Sequence, residues 1–531
     1  MGDVQKMRGE ITSTFKLCGF TLRKDAGTFL AEQLLLLPSQ DRSVMLEKLT
    51  SHLLHQCISH PILEKSHIEV AYKECSTAGL EENETVLNVI DAFSVPKLCY
   101  NHELKKFVKD VNNEKCLLAD PKWKSRFIID RYTVIWQRTL RNKLFTLDSV
   151  HSSEAEKRFQ LRKVEYLLSC SSRVDDVVVL GLLTQVVERK YHLEDPTGSI
   201  ELDVSNVRYH SGLFTEGSYV LAEGYYDDKT LYVTGLVQPP VETREASAPY
   251  FGNLNTFGGK SKTSLKNSKA LSKIENENRD GVFVFVSDVW LDSPKVMDNL
   301  KKLFSGFEEY PPIAIVLLGE FLSCPYTYKF HMHLKNGLNS LADMICQFKK
   351  LREKCKFIFV PGKTDPAAAN VLPRPPLPNY LTDTIQNKLG DNAIFTTNPC
   401  RIQYCTQEIV VFRQDLVMKL CRNTLHFPDS GDIPDHLTKT LLGQCCLTPL
   451  SIGVQPVFWR HASGLNLYPL PDLVIVADHF QPFVRSYKDC QVINPGSFPR
   501  TEFTFNVYIP ATRTVEESQI PNDDDIDIDV V

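Results

Sequence analysis

Four carboxylates, Asp288, Glu320, Asp365 and Asp478, each stand in a short loop directly after an apolar run. The loops read Ser287-Asp288-Val289-Trp290, Gly319-Glu320-Phe321-Leu322-Ser323, Gly362-Lys363-Thr364-Asp365-Pro366 and Ala477-Asp478-His479-Phe480. Carboxylate oxygens gathered from separate loops can hold one hard cation such as Mg²⁺. Lys363 stands among them and would compete as their counter-ion, which favours a metal-free cluster. His331 and His333 flank Met332 at the start of a helical stretch and read as surface or packing residues rather than ligands. The fifteen cysteines lack the paired spacing of a zinc site: Cys445 and Cys446 are adjacent, and Cys400, Cys405 and Cys421 read as reduced core thiols. No G-x-x-x-x-G-K-[ST] loop occurs, so use of a nucleoside triphosphate is not expected.

The elements that must position these loops are legible as texture. Apolar runs at 282–286, 313–318, 356–360 and 472–476 alternate with helical stretches around 294–304 and 329–352. Continuous apolar strands belong in a sheet covered on both faces, and loops at the carboxyl ends of such strands carry ligand sites. The spacing therefore predicts an α/β domain over 281–515.

Ahead of it, 173–240 holds five short β-rich runs and a tight Asp195-Pro196-Thr197-Gly198 turn, the pattern of a small OB-type barrel. Such a barrel invites a single-strand DNA reading, but this stretch has five Arg or Lys against eleven Asp or Glu. A groove that tracks phosphates needs cations along it, so a protein-contacting barrel is favoured. Residues 241–280, rich in Gly, Ser, Asn and Lys, read as an exposed flexible linker. Lys260, Lys262, Lys266 and Lys269 are its candidates for non-specific phosphate contact.

Residues 1–95 read as a helical domain, with stripes Ile11, Phe15, Cys18 and Leu46, Leu49, Leu53. Residues 96–172 read as a connecting segment whose one helix, at 123–141, docks on the C-terminal domain, and 516–531 as an acidic, disordered tail. A net charge of −5 over 531 residues argues against a broad polyanion-binding surface. No apolar run approaches the length of about eighteen residues needed to span a bilayer, and the first residues lack the plan of a secretory signal, so an intracellular protein is expected.

In order, the four loops and the turn Asn494-Pro495-Gly496-Ser497 resemble the calcineurin-like metallophosphoesterases, whose motifs are D-x-H, G-D, G-N-H and G-H-x-H ahead of N-P-G-S. In that chemistry two metal ions about 3.5–4 Å apart polarise a phosphoryl group and activate water. Carried over by position, Asp288 matches the first carboxylate, but Trp290 stands where a histidine is needed, and indole offers only a donor. Glu320 replaces the bridging aspartate, Lys363 the asparagine and Thr364 the histidine after it. Asp478 and Phe480 occupy the last two histidine positions, with His479 between them on the neighbouring side of the turn. The resemblance implies an α/β/β/α scaffold that has lost its metal site, with no cofactor and no catalysis.

A helical domain, an OB-type barrel and an inactivated phosphodiesterase domain in this order resemble the B-subunit family of eukaryotic replicative DNA polymerases, the polymerase epsilon branch in particular. The wording Phe283-Val284-Phe285-Val286-Ser287-Asp288-Val289-Trp290-Leu291-Asp292, Leu372-Pro373-Arg374-Pro375-Pro376-Leu377 and Ile493-Asn494-Pro495-Gly496-Ser497-Phe498-Pro499 carries that resemblance. It implies a nuclear accessory subunit in DNA replication that binds the cysteine-rich C-terminal region of the catalytic subunit. It also implies the company of small histone-fold subunits and contact with the replicative helicase, including GINS, through an N-terminal domain resembling the lid of AAA+ ATPases. DNA would be met as part of the complex. The alternatives are the B-subunit of another replicative polymerase, an active phosphoesterase and a stand-alone single-strand-binding protein.

Overall fold

Two mixed sheets packed face to face form the centre of the C-terminal half of this computed structural model, which describes residues 2–35, 39–55, 62–76, 85–110, 116–145, 159–324, 329–366 and 370–521. The first sheet runs in the order Ala393–Phe395, Lys356–Val360, Ala314–Leu318, Phe283–Ser287, Thr504–Ile509, Thr514–Gln519. Its first four strands are parallel, and the last two antiparallel. The second runs Phe483–Tyr487, Cys490–Asn494, Leu473–Ala477, Gln407–Arg413, Cys400–Tyr404, Leu87–Asp91.

Because successive side chains point to opposite faces, each strand feeds two cores. Phe283, Phe285, Val316 and Ile358 meet Ile402, Ile409, Val411 and Ile475 between the sheets. Val284, Val286, Ile315 and Phe357 face the helices Pro294–Gly306, Phe330–Gln347 and Asn379–Leu389. Val410, Phe412, Val474 and Val476 face the helix Ile433–Gly443 and the turn Trp459–Leu465. The result is an α/β/β/α sandwich, with the C-terminal ends of the parallel strands at one rim. The expected single helix over 329–352 is two, Phe330–Gln347 and Lys349–Lys354.

The barrel joins Thr230–Val237, Tyr219–Asp227, Val174–Val187, Lys190–Asp195 and Gly198–Asp203, and closes by pairing Thr230–Val237 with Gly198–Asp203. Its Asp195 turn is held by the side chain itself, Oδ1 accepting from the Thr197 and Gly198 amides at 2.7 and 3.1 Å. The barrel starts earlier than residue 173: Leu161–Arg162 pairs with Val174–Val187, and Val164 and Leu167 lie in its core.

The helix Lys122–Leu140 is a wedge. Tyr132 and Ile135 pack on the barrel residues Val178, Leu180 and Tyr219, while buried Arg138 donates to Leu442 O at 3.1 Å, to Cys445 Sγ at 2.6 Å and to Gly443 O in the C-terminal domain. It docks on both neighbours rather than on one.

Three further expectations change. The helical domain comprises Gly2–Leu17, Lys24–Leu35, Ser39–His55 and Lys65–Ser76, around Ile11, Phe15, Leu30, Leu49, Leu53 and Ile68. Leu87–Asp91, assigned to that domain from sequence, instead pairs with Cys400–Tyr404 as an edge strand of the second sheet. Residues 241–280 are not a free linker: Phe257, Leu265 and Leu271 are buried, and Ser268 caps the helix Lys269–Glu277 through Leu271 N at 3.3 Å. Buried Glu275 accepts from Thr406 N, Thr406 Oγ1 and Gln407 Nε2 at 3.1, 2.6 and 2.5 Å. The small polar residues here serve as caps and turns, not as slack. Finally, Thr514–Gln519 is a strand and Ile520 is buried, so the domain runs past 515. The acidic stretch 522–529 lies outside the described residues.

Candidate functional site

At the rim where the parallel strands end, Asp288 follows the Phe283–Ser287 strand with a positive φ of 58°, and its side chain is fully buried. A buried carboxylate requires a counter-charge. It comes from Arg413, the last residue of the Gln407–Arg413 strand of the other sheet. The guanidinium, with 1% of its side chain exposed, donates from Nη2 to Asp288 Oδ1 at 2.7 Å and from Nη1 to Asp415 Oδ1 at 2.9 Å. It also donates from Nε to Gly319 O at 2.6 Å and from Nη1 to Ala477 O at 3.2 Å.

His479 completes the cluster. Its Nε2 lies 2.9 Å from Asp288 Oδ2 and its Nδ1 3.2 Å from Asp415 Oδ1. The ring therefore faces into the site, contrary to the expectation that it sits on the neighbouring side of the turn. The bond to Asp288 raises the pKa of His479 above its ordinary value, against the opposing effect of burial. For Asp288 itself, burial acts upwards, but the Arg413 charge and the His479 bond outweigh it and hold the carboxyl well below the usual range.

The other acids anchor backbone. Asp365 accepts from Phe321 N at 3.0 Å and Gly362 N at 2.7 Å, and burial pushes its pKa up to about 6. A Cβ on Gly319 would meet Asp365 Oδ2 at 2.0 Å and Gly362 N at 2.3 Å, so this approach needs glycine. Asp478 accepts from Leu416, Val417 and Phe480 amides at 2.5, 2.8 and 2.9 Å. Asn494 Oδ1 accepts from Asp478 N and Gly496 N, both at 3.0 Å, and Nδ2 donates to Phe480 O at 2.9 Å.

Glu320 donates its backbone N–H to Asp288 Oδ1 at 3.3 Å, and its charge acts on Arg413 and Asp365. Trp290 lies partly buried with Arg500 over its ring at 5.4 Å, Thr364 is partly buried, and Phe480 packs against the core of the second sheet. Lys363, expected as the counter-ion of the carboxylates, is exposed. It fails in that role because Arg413 reaches Asp288 from inside the sandwich. His331 is exposed and bonds Tyr380 Oη at 2.8 Å. The four carboxylates are thus not gathered around one empty centre. Among the described residues no group of three or more His, Cys, Asp or Glu is arranged to hold a metal ion. The donor set does not fit a dinuclear centre, since Arg413 lies among the carboxylate and imidazole groups that would have to bind it.

Sequence reasoning missed Arg413 and Asp415. The available signal was an arginine closing the apolar run Ile409-Val410-Val411-Phe412, where a charge buried at a strand end must find a partner. Of the lysines singled out between 241 and 280, Lys260, Lys262 and Lys269 are exposed. Lys266 is engaged instead: its Nζ donates to Asp472 Oδ1 at 2.6 Å and also to Oδ2.

The sequence comparisons bear directly on this site. Residues 283–485 match the family model of the DNA polymerase alpha/epsilon B-subunit, 121–240 that of the DNA polymerase epsilon subunit 2-like OB-fold domain, and 3–75 that of the DNA polymerases epsilon N terminal region. Human DNA polymerase epsilon subunit 2 is 43% identical over 522 residues, covering 97% of this chain and 99% of its own. The chain belongs to the DNA polymerase epsilon subunit 2 family. The fruit-fly subunit is likewise 43% identical over 98% of this chain and 99% of its own, and the budding-yeast polymerase epsilon B-subunit 27% identical over 86% and 78%. The chain is therefore of the accessory B-subunit type in DNA replication, with an OB fold. The OB-domain match begins at residue 121, where the wedge helix begins, rather than at 173. Among solved structures, an archaeal phosphodiesterase covers 45% of this chain and 98% of its own at 13% identity, with a TM-score of 0.26, too low to carry any inference.

Proposed function

We propose that this chain is a non-catalytic subunit of DNA polymerase epsilon that works by binding, its phosphoesterase-like domain serving as a rigid platform. The observation that carries this reading is the Arg413 guanidinium, held by Asp288, Asp415 and His479 in the place where a metal-dependent phosphoesterase needs its cations. A fixed organic cation neutralises the carboxylates but cannot bind or activate water as a metal does. Asp288, Trp290, Glu320, Lys363, Thr364, Asp365, Asp478, Phe480 and Asn494 are on this reading vestigial positions with structural work.

The partner is the catalytic subunit, through its cysteine-rich C-terminal region, within a nuclear assembly that also holds the small histone-fold subunits. The helical domain links that assembly to the replicative helicase and GINS. DNA is contacted as part of the complex, with Lys260, Lys262 and Lys269 as the basic positions that remain free to meet phosphate.

Two measurements test this. The full chain should co-purify stoichiometrically with the catalytic subunit of polymerase epsilon and not with those of other replicative polymerases. It should also leave a generic phosphodiester intact in the presence of Mn²⁺. Turnover that disappears in Asp288→Ala would sink the reading.

A further inference from the structure

Residues 301–310 and 349–354 carry six Lys or Arg against three Glu, in a chain whose overall balance is −5. The two stretches adjoin on the outer side of the first sheet's helix layer. Phe304 of the helix Pro294–Gly306 meets Phe348 edge-on at 6.2 Å between ring centroids, and Glu308 Oε1 accepts from Lys350 N at 3.2 Å. Both helices turn their apolar side to the core through Leu300, Leu303, Phe304 and Leu351, which leaves the charges to face solvent. Lys301, Lys302, Lys349, Lys350, Arg352 and Lys354 are all exposed.

Among the described residues, Lys301, Lys349, Lys350, Arg352 and Lys354 form no ion pair. Lys388 of the helix Asn379–Leu389, by contrast, is tied to Asp343 at 2.6 Å. Of the three glutamates Glu308 is half-buried and bonded to the Lys350 amide, so Glu309 and Glu353 alone oppose the cations from the surface. Like charges gathered without partners repel one another, and a polyanion laid across them relieves that repulsion. In the loop between the two stretches Tyr310 is 78% exposed. Pro311 and Pro312 follow it, and a proline holds the residue before it in an extended conformation.

A flat ring held out among unpaired cations matches a strand that offers phosphates and unstacked bases together. A duplex keeps its bases stacked inside, out of reach of the ring, and an acidic peptide has charge but no flat face to cover it. We propose that this surface binds single-stranded nucleic acid, with phosphates on Lys301, Lys349, Lys350 and Lys354 and a base on Tyr310. The contact lies on the C-terminal domain, apart from the acidic barrel and from Lys260, Lys262 and Lys269, and does not depend on those lysines.

The test titrates the full chain into a fluorescent oligothymidylate at stepped salt and reads affinity by anisotropy. Lys301→Gln, Lys349→Gln and Lys350→Gln together should lower the slope of log affinity against log salt by about 0.7 for each lysine on a phosphate. Tyr310→Ala should weaken binding by about five-fold or more, the factor for one base stacked on one ring, and leave the slope unchanged. All four side chains are exposed, so melting should stay where it is in each variant, which shows that the fold is intact. A variant lacking Lys260, Lys262 and Lys269 should keep the full Tyr310→Ala effect, so the two surfaces are scored separately. No binding by the full chain, an unchanged slope in the triple lysine variant, an unchanged affinity in Tyr310→Ala, or equally tight binding of a duplex or of polyglutamate would each overturn the proposal.

Discussion

Replacing Arg413 by methionine should destabilise the C-terminal α/β/β/α domain severely, because it leaves Asp288, whose side chain is 0% exposed, without its principal counter-charge. The Gly319 and Ala477 carbonyls lose their donor in the same step. Breaking one half of a buried ion pair costs about 3–5 kcal/mol. At about 2–4 °C per kcal/mol for a domain of this size, the melting transition should fall by roughly 6–20 °C. The loss should be smallest at acidic pH, where His479, 2.9 Å from Asp288 Oδ2, carries a proton and takes over part of the neutralisation. The companion variant is Asp288→Asn together with Arg413→Met, in which no uncompensated charge remains. It should recover a large part of the loss, giving a coupling of about 1–3 kcal/mol in the double-mutant cycle. Thermal unfolding of the full chain gives the stability, and amide exchange in Phe283–Ser287 and Leu473–Ala477 reports on this domain specifically. A fall of less than about 3 °C in Arg413→Met, or a double variant equal to the sum of the singles, would refute the view that Arg413 neutralises Asp288.

His479 makes stability depend on pH. Its pKa is raised on folding by the bond to Asp288, so its contribution is complete below the unfolded value of about 6.5 and is lost as pH rises through the folded value. His479→Gln should therefore flatten the stability profile over that window, in urea unfolding at stepped pH, and cost most at its acidic end. Lys266→Ala should cost about 1–3 kcal/mol in the same assay by leaving Asp472 only the Glu408 amide and the more distant Arg513, with no change in the salt dependence of DNA binding by the assembled polymerase. Removing Lys260, Lys262 and Lys269 together should instead lower the slope of log affinity against log salt, by about 0.9 for each lysine on a phosphate. Arg138→Ala should loosen the wedge helix, seen as faster amide exchange at Leu442–Cys446 and Tyr219–Leu221, because one buried guanidinium makes all three contacts to that turn.

How much of this was legible depended on whether a residue's partner was local. The Asp195 turn closes on its own amides, and the apolar runs of the two sheets announce buried strands whatever they pair with, so barrel strands and sandwich strands could be read directly. The edge strand Leu87–Asp91 could not, because its partner Cys400–Tyr404 lies some three hundred residues away and five residues carry no signal of which sheet they join. The segment 241–280 misled for a related reason. Gly, Ser and Asn look the same in a slack chain and in a fold that uses them as caps, and the difference is made by distant atoms such as Thr406 N and Gln407 Nε2, both bonded to Glu275.

The site shows the same limit in electrostatic form. Comparing motif positions asks only which chelators are missing, at Trp290, Lys363 and Phe480. It does not ask what must then neutralise the carboxylate that remains. Asp288 stays buried between two sheets, and a buried carboxylate without metal needs a cation delivered through the core rather than from solvent. Lys363, on the outer loop, cannot reach inward. Arg413, at the end of the neighbouring sheet's strand, points to Asp288 with a planar fork and also engages Asp415 and two carbonyls. Arg413 is therefore what lets the fold keep Asp288 buried between its two sheets.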